Sequence, residues 1–211
     1  MKKSPISIFW FRRDLRLEDN AGLWMALKSG LPVLPIFIFD KNILDKLENK
    51  KDARVLFIHQ ELENLKNKLE KLGATLQVFY GTPKEVYAKI LAEYEVKTVF
   101  FNRDYEPYAQ ARDKEIYEML KQKSVEFKGS KDQVIFEKNE ITKDDKKPYT
   151  IFTPYAKKWK RSLSEFYLRP YPTEKYFDNF IKCSPFYFPK ISEIGFEDFE
   201  FKNFPARKID F

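Results

Sequence analysis

The sequence predicts a doubly wound, parallel, five-stranded α/β sheet with helices on both faces, and three observations carry that prediction. Short apolar runs rich in Ile and Phe recur along the first 130 residues, as strands buried on both faces require. Segments with helical spacing lie between them. Capping residues, prolines and glycines fall at the changes of period.

The elements follow in order. Ile6 to Phe11 is the first strand, Asn20 to Ser29 a helix capped by Asp19 or Asn20 and ended by Gly30, and Leu34 to Phe39 the second strand. Val55, Ile58, Leu62, Leu65, Leu69 and Leu72 recur at steps of three and four before Gly73, so this helix is one-sided and packs on a sheet. Leu76 to Tyr80 is the third strand. Thr82-Pro83-Lys84-Glu85 combines an N-cap, a proline at the first helical position and a glutamate able to close a capping box, opening a helix that runs to about Tyr94. Thr98 to Phe101 is the fourth strand, Ala109 to Lys123 a helix and Val125 to Phe127 the fifth strand. Strands alternating with helices imply right-handed crossovers and a parallel sheet.

Residues 1–130 thus form the core of the domain, and beyond them the period is lost. Residues 131–167 are expected to complete the domain with a hairpin or loop and an amphipathic helix, Tyr155 to Tyr167, opened by Thr153-Pro154. Residues 168–211 read as an extended linker whose aromatic side chains need a surface outside this chain to cover.

Composition narrows the chemistry. One cysteine, Cys183, excludes an internal disulfide, and with a single histidine, His59, it excludes the usual Cys/His zinc clusters. His59 adjoins the stripe Val55, Ile58, Leu62 and reads as a boundary residue. The net charge of +7 suits a polyanionic partner, but lysines are scattered among 32 acidic residues. No apolar stretch is long enough to span a bilayer, and Met1 to Pro5 runs into the first strand without a cleavage site, so the expectation is a cytoplasmic protein with no membrane and no metal. With six glycines there is no dinucleotide fingerprint and no P-loop; a serine nucleophile elbow and a metalloprotease helix are also missing. No catalytic residue is assigned.

In open α/β sheets, ligands bind beyond the carboxyl ends of the strands. That rule selects Arg12-Arg13-Asp14, Asp40, Tyr80-Gly81-Thr82 and Asn102-Arg103-Asp104-Tyr105-Glu106. Trp10 to Asn20 holds three arginines and three acids. They can lock a loop through bidentate ion pairs, or meet an anionic ligand or partner domain.

Trp10-Phe11-Arg12-Arg13-Asp14-Leu15-Arg16-Leu17-Glu18-Asp19-Asn20 resembles the opening signature of the DNA photolyase and cryptochrome family. So do Leu34 to Asp40, Asn102 to Pro107 with Arg112-Asp113, and Pro148 to Tyr155 with Trp159. The resemblance implies a Rossmann-like, nucleotide-binding type of domain holding an antenna chromophore that passes excitation energy to FAD in a following helical domain. That flavoprotein half binds damaged DNA in photolyases, which are lyases of DNA repair; none of its motifs is present here, so the chain alone is expected to be inactive. Carried over by residue, the resemblance places the antenna site at Arg12, Phe37, Phe39, Asp40, Arg54, Asn102, Asp104 and Glu106. Glu106-Pro107-Tyr108 favours a deazaflavin or flavin mononucleotide over methenyltetrahydrofolate, since Tyr108-Ala109 stands where folate-type members have Asn-Glu. Other readings of these residues stay open: Arg54 as an exposed arginine at a helix start, Asp104 and Glu106 as caps, Tyr155 and Trp159 as packing. A cryptochrome photoreceptor and a stand-alone nucleotide-binding or interaction module are the alternatives for the whole.

Overall fold

Alternation of apolar side chains decides which face of each strand meets which helix, and the computed structural model, which describes residues 4–200, shows both faces covered. The chain runs β1 (Pro5–Phe11), α1 (Ala21–Leu27), β2 (Val33–Asp40), α2 (Lys41–Leu44), α3 (Ala53–Lys71), β3 (Gln77–Gly81), α4 (Pro83–Glu93), β4 (Glu95–Asn102), α5 (Pro107–Lys121) and β5 (Glu126–Ser130). All pairings are parallel, in the order β3-β2-β1-β4-β5. Phe9, Phe11, Phe37 and Phe39 point to the face covered by α1 and α3, whereas Ile8, Trp10, Ile36 and Ile38 point to the face covered by α4 and α5. The order reverses between β1 and β4, which opens the crevice above their carboxyl ends.

Local chemistry sets the boundaries. Asn20 caps α1 by accepting from the Leu23 N–H at 3.1 Å, and Asp52 caps α3. Thr82 and Glu85 close the capping box at the start of α4. Gly73 follows α3 with φ +73°, a left-handed turn that a residue with a side chain adopts only under strain.

Two expectations need correction. Residues 131–151 contain no strand, so of the hairpin and the loop expected there it is the loop that is present, and the correction concerns the helix: α6 (Phe152–Ser162) starts before Tyr155 and stops at Leu163, followed by the short α7 (Glu165–Leu168). Pro154 lies inside the first turn of α6, where its missing N–H removes no helical bond. Leu163, with φ −70° and ψ 126°, breaks the run.

The second correction concerns the tail. Its described part does not wait for a surface elsewhere but lies back on the α1/α3 side of this chain, through 3-10 turns at Thr173–Asn179 and Ile191–Ile194. Phe180, Ile191, Ile194 and Phe196 are buried in the same core cluster as α3. The Ile181 N–H donates to the Val33 carbonyl at 2.9 Å, pairing the tail with the start of β2 ahead of the stretch that β3 covers, and the Thr173 hydroxyl donates to the Leu17 carbonyl at 2.7 Å. His59 is the boundary residue expected of it: its Nε2 lies 2.8 Å from the Pro189 carbonyl, and its ring contacts Phe39 and Phe188. Residues 201–211 of the expected linker lie outside the described residues. Among the described residues no helix is long and apolar enough to cross a membrane, and no group of His, Cys, Asp or Glu is placed to hold a metal ion.

Candidate functional site

The turn after β1 is held by charge pairing. Both oxygens of Asp113 on α5 accept from the Arg12 fork at 2.8 Å, and the guanidinium sits 4.1 and 4.2 Å from the ring centres of Trp10 and Phe101. Arg16 makes a second bidentate pair, to Asp132 at 2.9 and 2.8 Å. These two arginines therefore act as the structural reading expected. Arg13 differs: it is 62% exposed, and its Nε is 3.7 Å from Asp104.

Asn102, expected in the ligand site, is not on the cavity. Its Nδ2 donates to Asp14 at 2.5 Å and to Asn20 at 2.8 Å, and its Oδ1 accepts from the Gly22 N–H at 2.8 Å. The residue is 1% exposed and ties the start of α1 to the ends of β1 and β4. Gly22 is required there, because a Cβ would stand 2.6 Å from that Oδ1.

The other seven expected residues line one cavity of about 620 Å³ above the carboxyl ends of β1, β2 and β4. Its apolar wall comes from Phe37 and Phe39 on β2, Leu44 and Leu47 around α2, and Val55 and Ile58 on α3. Its polar side comes from Arg12, Asp40, Arg54, Asp104 and Glu106. Arg54 stands at the start of α3 with its side chain 74% exposed, and its Nε donates to Asp52 at 3.0 Å. Bonding to Arg54 holds the Asp52 carboxyl down at about 2. Asp104, with a side chain 10% exposed, accepts from the Glu106 N–H at 3.2 Å, while Glu106 occupies the N-cap position of α5 without a side-chain bond to its turn. The capping reading thus fits Asp104 as a brace of that loop and leaves Glu106 free of that task.

Three further polar residues line this cavity outside the expected set, Arg13, Tyr108 and Arg112; of these Arg13 lies in a turn the strand-end rule selects, and Tyr108 entered the sequence reading only through the Glu106-Pro107-Tyr108 pattern. The Tyr108 hydroxyl donates to Asp40 at 2.5 Å, and desolvation together with that bond pushes its pKa up to about 12. Tyr108 and Arg112 face the site from the first turns of α5, where the Arg-Asp pair at 112–113 was visible but unplaced. Val55 and Ile58 were read as packing for a sheet; they belong to the end of the α3 stripe that overhangs the strand ends, which spacing alone cannot distinguish.

The family model described as DNA photolyase matches residues 7–175. The chain belongs to the DNA photolyase family. It is 30% identical over 156 residues to a deoxyribodipyrimidine photo-lyase of Synechococcus sp., covering 74% of this chain and 32% of that protein. A bacterial class III photolyase from Agrobacterium tumefaciens superposes with TM-score 0.64 at 30% identity, covering 73% of this chain and 31% of that one. An archaeal photolyase from Sulfolobus tokodaii, described with two FAD molecules and a novel light-harvesting cofactor, superposes with TM-score 0.58 at 34% identity, covering 65% and 32%. Proteins named cryptochrome also occur among the relatives. The chain spans about a third of the length of these three photolyases, and the parallel sheet is the fold it shares with them.

The photolyase family binds chromophore cofactors, and the cavity's make-up fits one. Its volume lies in the range of roughly 300–1,000 Å³ typical of small-molecule sites. Opposed Phe, Leu, Ile and Val side chains suit a flat ring system, and guanidinium, carboxylate and phenol groups at its margin suit a ring edge bearing N–H and C=O groups.

Proposed function

We propose that this chain is the light-harvesting, chromophore-binding domain of a deoxyribodipyrimidine photolyase, with the cavity above β1, β2 and β4 as the antenna site. The observation that carries the reading is the meeting there of seven residues from four separated segments, on the switch point where open α/β sheets place ligands. The light-harvesting cofactor named for the Sulfolobus tokodaii relative supports a pigment in this part of the family. The rest of the activity, reversal of pyrimidine dimers in DNA by light, is proposed to require an FAD-binding helical domain as partner and to reach DNA through it.

A flavin-type ring, deazaflavin or flavin mononucleotide, is preferred to methenyltetrahydrofolate. The pigment supplies absorption of light and transfer of its excitation; everything else is done by this chain's side chains. Phe37, Phe39, Val55 and Ile58 exclude water from the ring faces. Asp104 accepts from ring N–H groups, and Arg54, at the mouth, offers a planar fork of donors to an anionic edge. Because Arg54 is exposed and shares its fork with Asp52, it contributes less than the nearly buried Asp104.

Fluorescence titration of flavin mononucleotide, a deazaflavin and methenyltetrahydrofolate against wild type, Arg54→Ala and Asp104→Ala tests this. Removing the Asp104 carboxylate should cost about 1.5–3 kcal/mol of flavin-type binding, roughly ten- to a hundredfold. Arg54→Ala should weaken it only a few-fold. Tighter binding of the folate, or flavin-type binding unchanged in both variants, refutes the placement.

A further inference from the structure

The tail does more than cover the core behind α3, because its last described turns reach the rim of the cavity. One side of that rim is the loop at residues 45–52, between α2 and α3. It contributes Leu47 to the cavity lining, and Leu44 before it and Arg54 and Val55 after it line the cavity as well. Within the loop Leu47 and Asp52 are half-buried and the other residues are exposed. Little apolar burial holds such a loop, so it opens readily unless something else ties it down.

The ties come from the far end of the sequence. The Glu197 N–H donates to the Lys50 carbonyl at 2.8 Å, and the Lys50 ammonium lies 5.1 Å from the ring centre of Phe196, which is buried in the α3 core cluster. Lys51 and Glu197 also pair at 3.5 Å, but both side chains are more than half exposed, so that contact holds little. Tyr80 supplies a second tie: its hydroxyl donates to Asp45 at 3.1 Å, and a Cβ on Gly195 would stand 3.8 Å from the same oxygen, so Gly195 packs against it. Earlier in the tail, the His59 Nε2–H donates to the Pro189 carbonyl at 2.8 Å, and the His59 ring contacts Phe188 of the tail and Phe39 of the cavity wall. Both ends of the stretch 188–197 are thus fastened to residues that form or flank that wall.

We propose that residues 188–197 act as a strap that holds the 45–52 loop down on the rim, so that loosening the strap widens the crevice. The strap sets how far Leu44, Leu47 and Val55 close over the cavity, whatever the cavity binds. Its decisive bond is a backbone one, from the Glu197 N–H to Lys50. A change of the Glu197 side chain therefore leaves the strap fastened, whereas loss of the N–H releases it. The inference goes beyond the antenna reading and holds for an empty crevice.

Two measurements on the 211-residue chain, both without ligand, test the strap. The first is the rate of tryptic cleavage after Lys50 and Lys51, read from fragment masses. The second is the rate at which monobromobimane labels Val55→Cys in a Cys183→Ser background, since Val55 is 3% exposed while the rim is closed and Cys183 is an exposed free thiol. Glu197→Pro, which lacks the N–H, should raise both rates about five- to tenfold, the scale of one lost hydrogen bond. Glu197→Gln keeps the N–H and loses only the exposed ion pair, so it should stay within about twofold of wild type. Tyr80→Phe cuts the second tie and should raise both rates a few-fold. Unchanged rates in Glu197→Pro, or an equal rise in Glu197→Gln, overturn the proposal. Faster cleavage without faster labelling also overturns it, because the loop would then move without opening the crevice. The urea midpoint of Glu197→Pro should match that of wild type. If it falls, Tyr80→Phe decides: unchanged rates there overturn the strap, and a rise in both with an unchanged midpoint upholds it.

Discussion

Asn102 stood in the sequence as one of several polar residues after a strand, and nothing in its neighbours distinguished it from Asp104. The difference lies in distance along the chain: its partners Asp14, Asn20 and Gly22 are 80 or more residues away. Each of its side-chain polar atoms has a buried partner, so truncation strands several groups at once. Asn102→Ala is expected to cost about 2–4 kcal/mol in urea unfolding, the scale for leaving a buried hydrogen-bond network open. A loss below about 0.5 kcal/mol would mean that these bonds are replaced by water and that the knot is not structural. Arg12 and Arg16 show the opposite case, since loop-locking by bidentate pairs was legible from residue types, and only the partners Asp113 and Asp132 needed the fold.

At the scale of elements, helices with strong periodicity and end signals were readable because their causes are local. The capping box of Thr82 and Glu85 and the left-handed Gly73 act within a few residues. The tail had no such local cause. From Thr173 to Phe196 it is shaped by the apolar surface that α1, α3 and the start of β2 leave uncovered. Phe180 is 2% exposed in that surface, whereas Tyr187 in the same segment is 67% exposed. Phe180→Ala should therefore destabilise the domain by about 3–5 kcal/mol. Tyr187→Ala should stay within about 0.5 kcal/mol of wild type. Equal stability of the two variants in chemical denaturation would show that the tail is not part of the cooperative unit. By contrast α6 fully buries none of its side chains, with Phe152 at 79% exposure, and its contacts within this chain are marginal ring contacts, Trp159 with Phe136 and Tyr155 with Tyr149.

For the whole molecule, the net charge of +7 is spread over a surface on which many cations already have acidic neighbours. DNA binding by this chain should accordingly be weak and non-specific, with Kd on the order of 10⁻⁴–10⁻⁶ M at physiological salt and an affinity that falls as salt rises. Titration of labelled duplex, intact and dimer-containing, from low to physiological salt checks this. Tight, salt-insensitive and lesion-selective binding would place a DNA site on this domain and contradict the proposed division of labour.

Apolar runs, helical spacing and end signals by themselves determined the order of the five strands and of all helices but α2 in residues 1–130, and the resemblance of four ordered motifs pointed to the family. Both follow from short-range information, because period, caps and turns depend on neighbours in sequence. Only the tertiary structure decided that the tail returns to its own domain, that Asn102 lies in a buried hydrogen-bonded knot off the cavity, and that Tyr108 and Arg112 line that cavity. Those outcomes depend on which surfaces remain uncovered and which polar groups face one another once the sheet has closed. Neither quantity exists until residues far apart in the chain have been brought together.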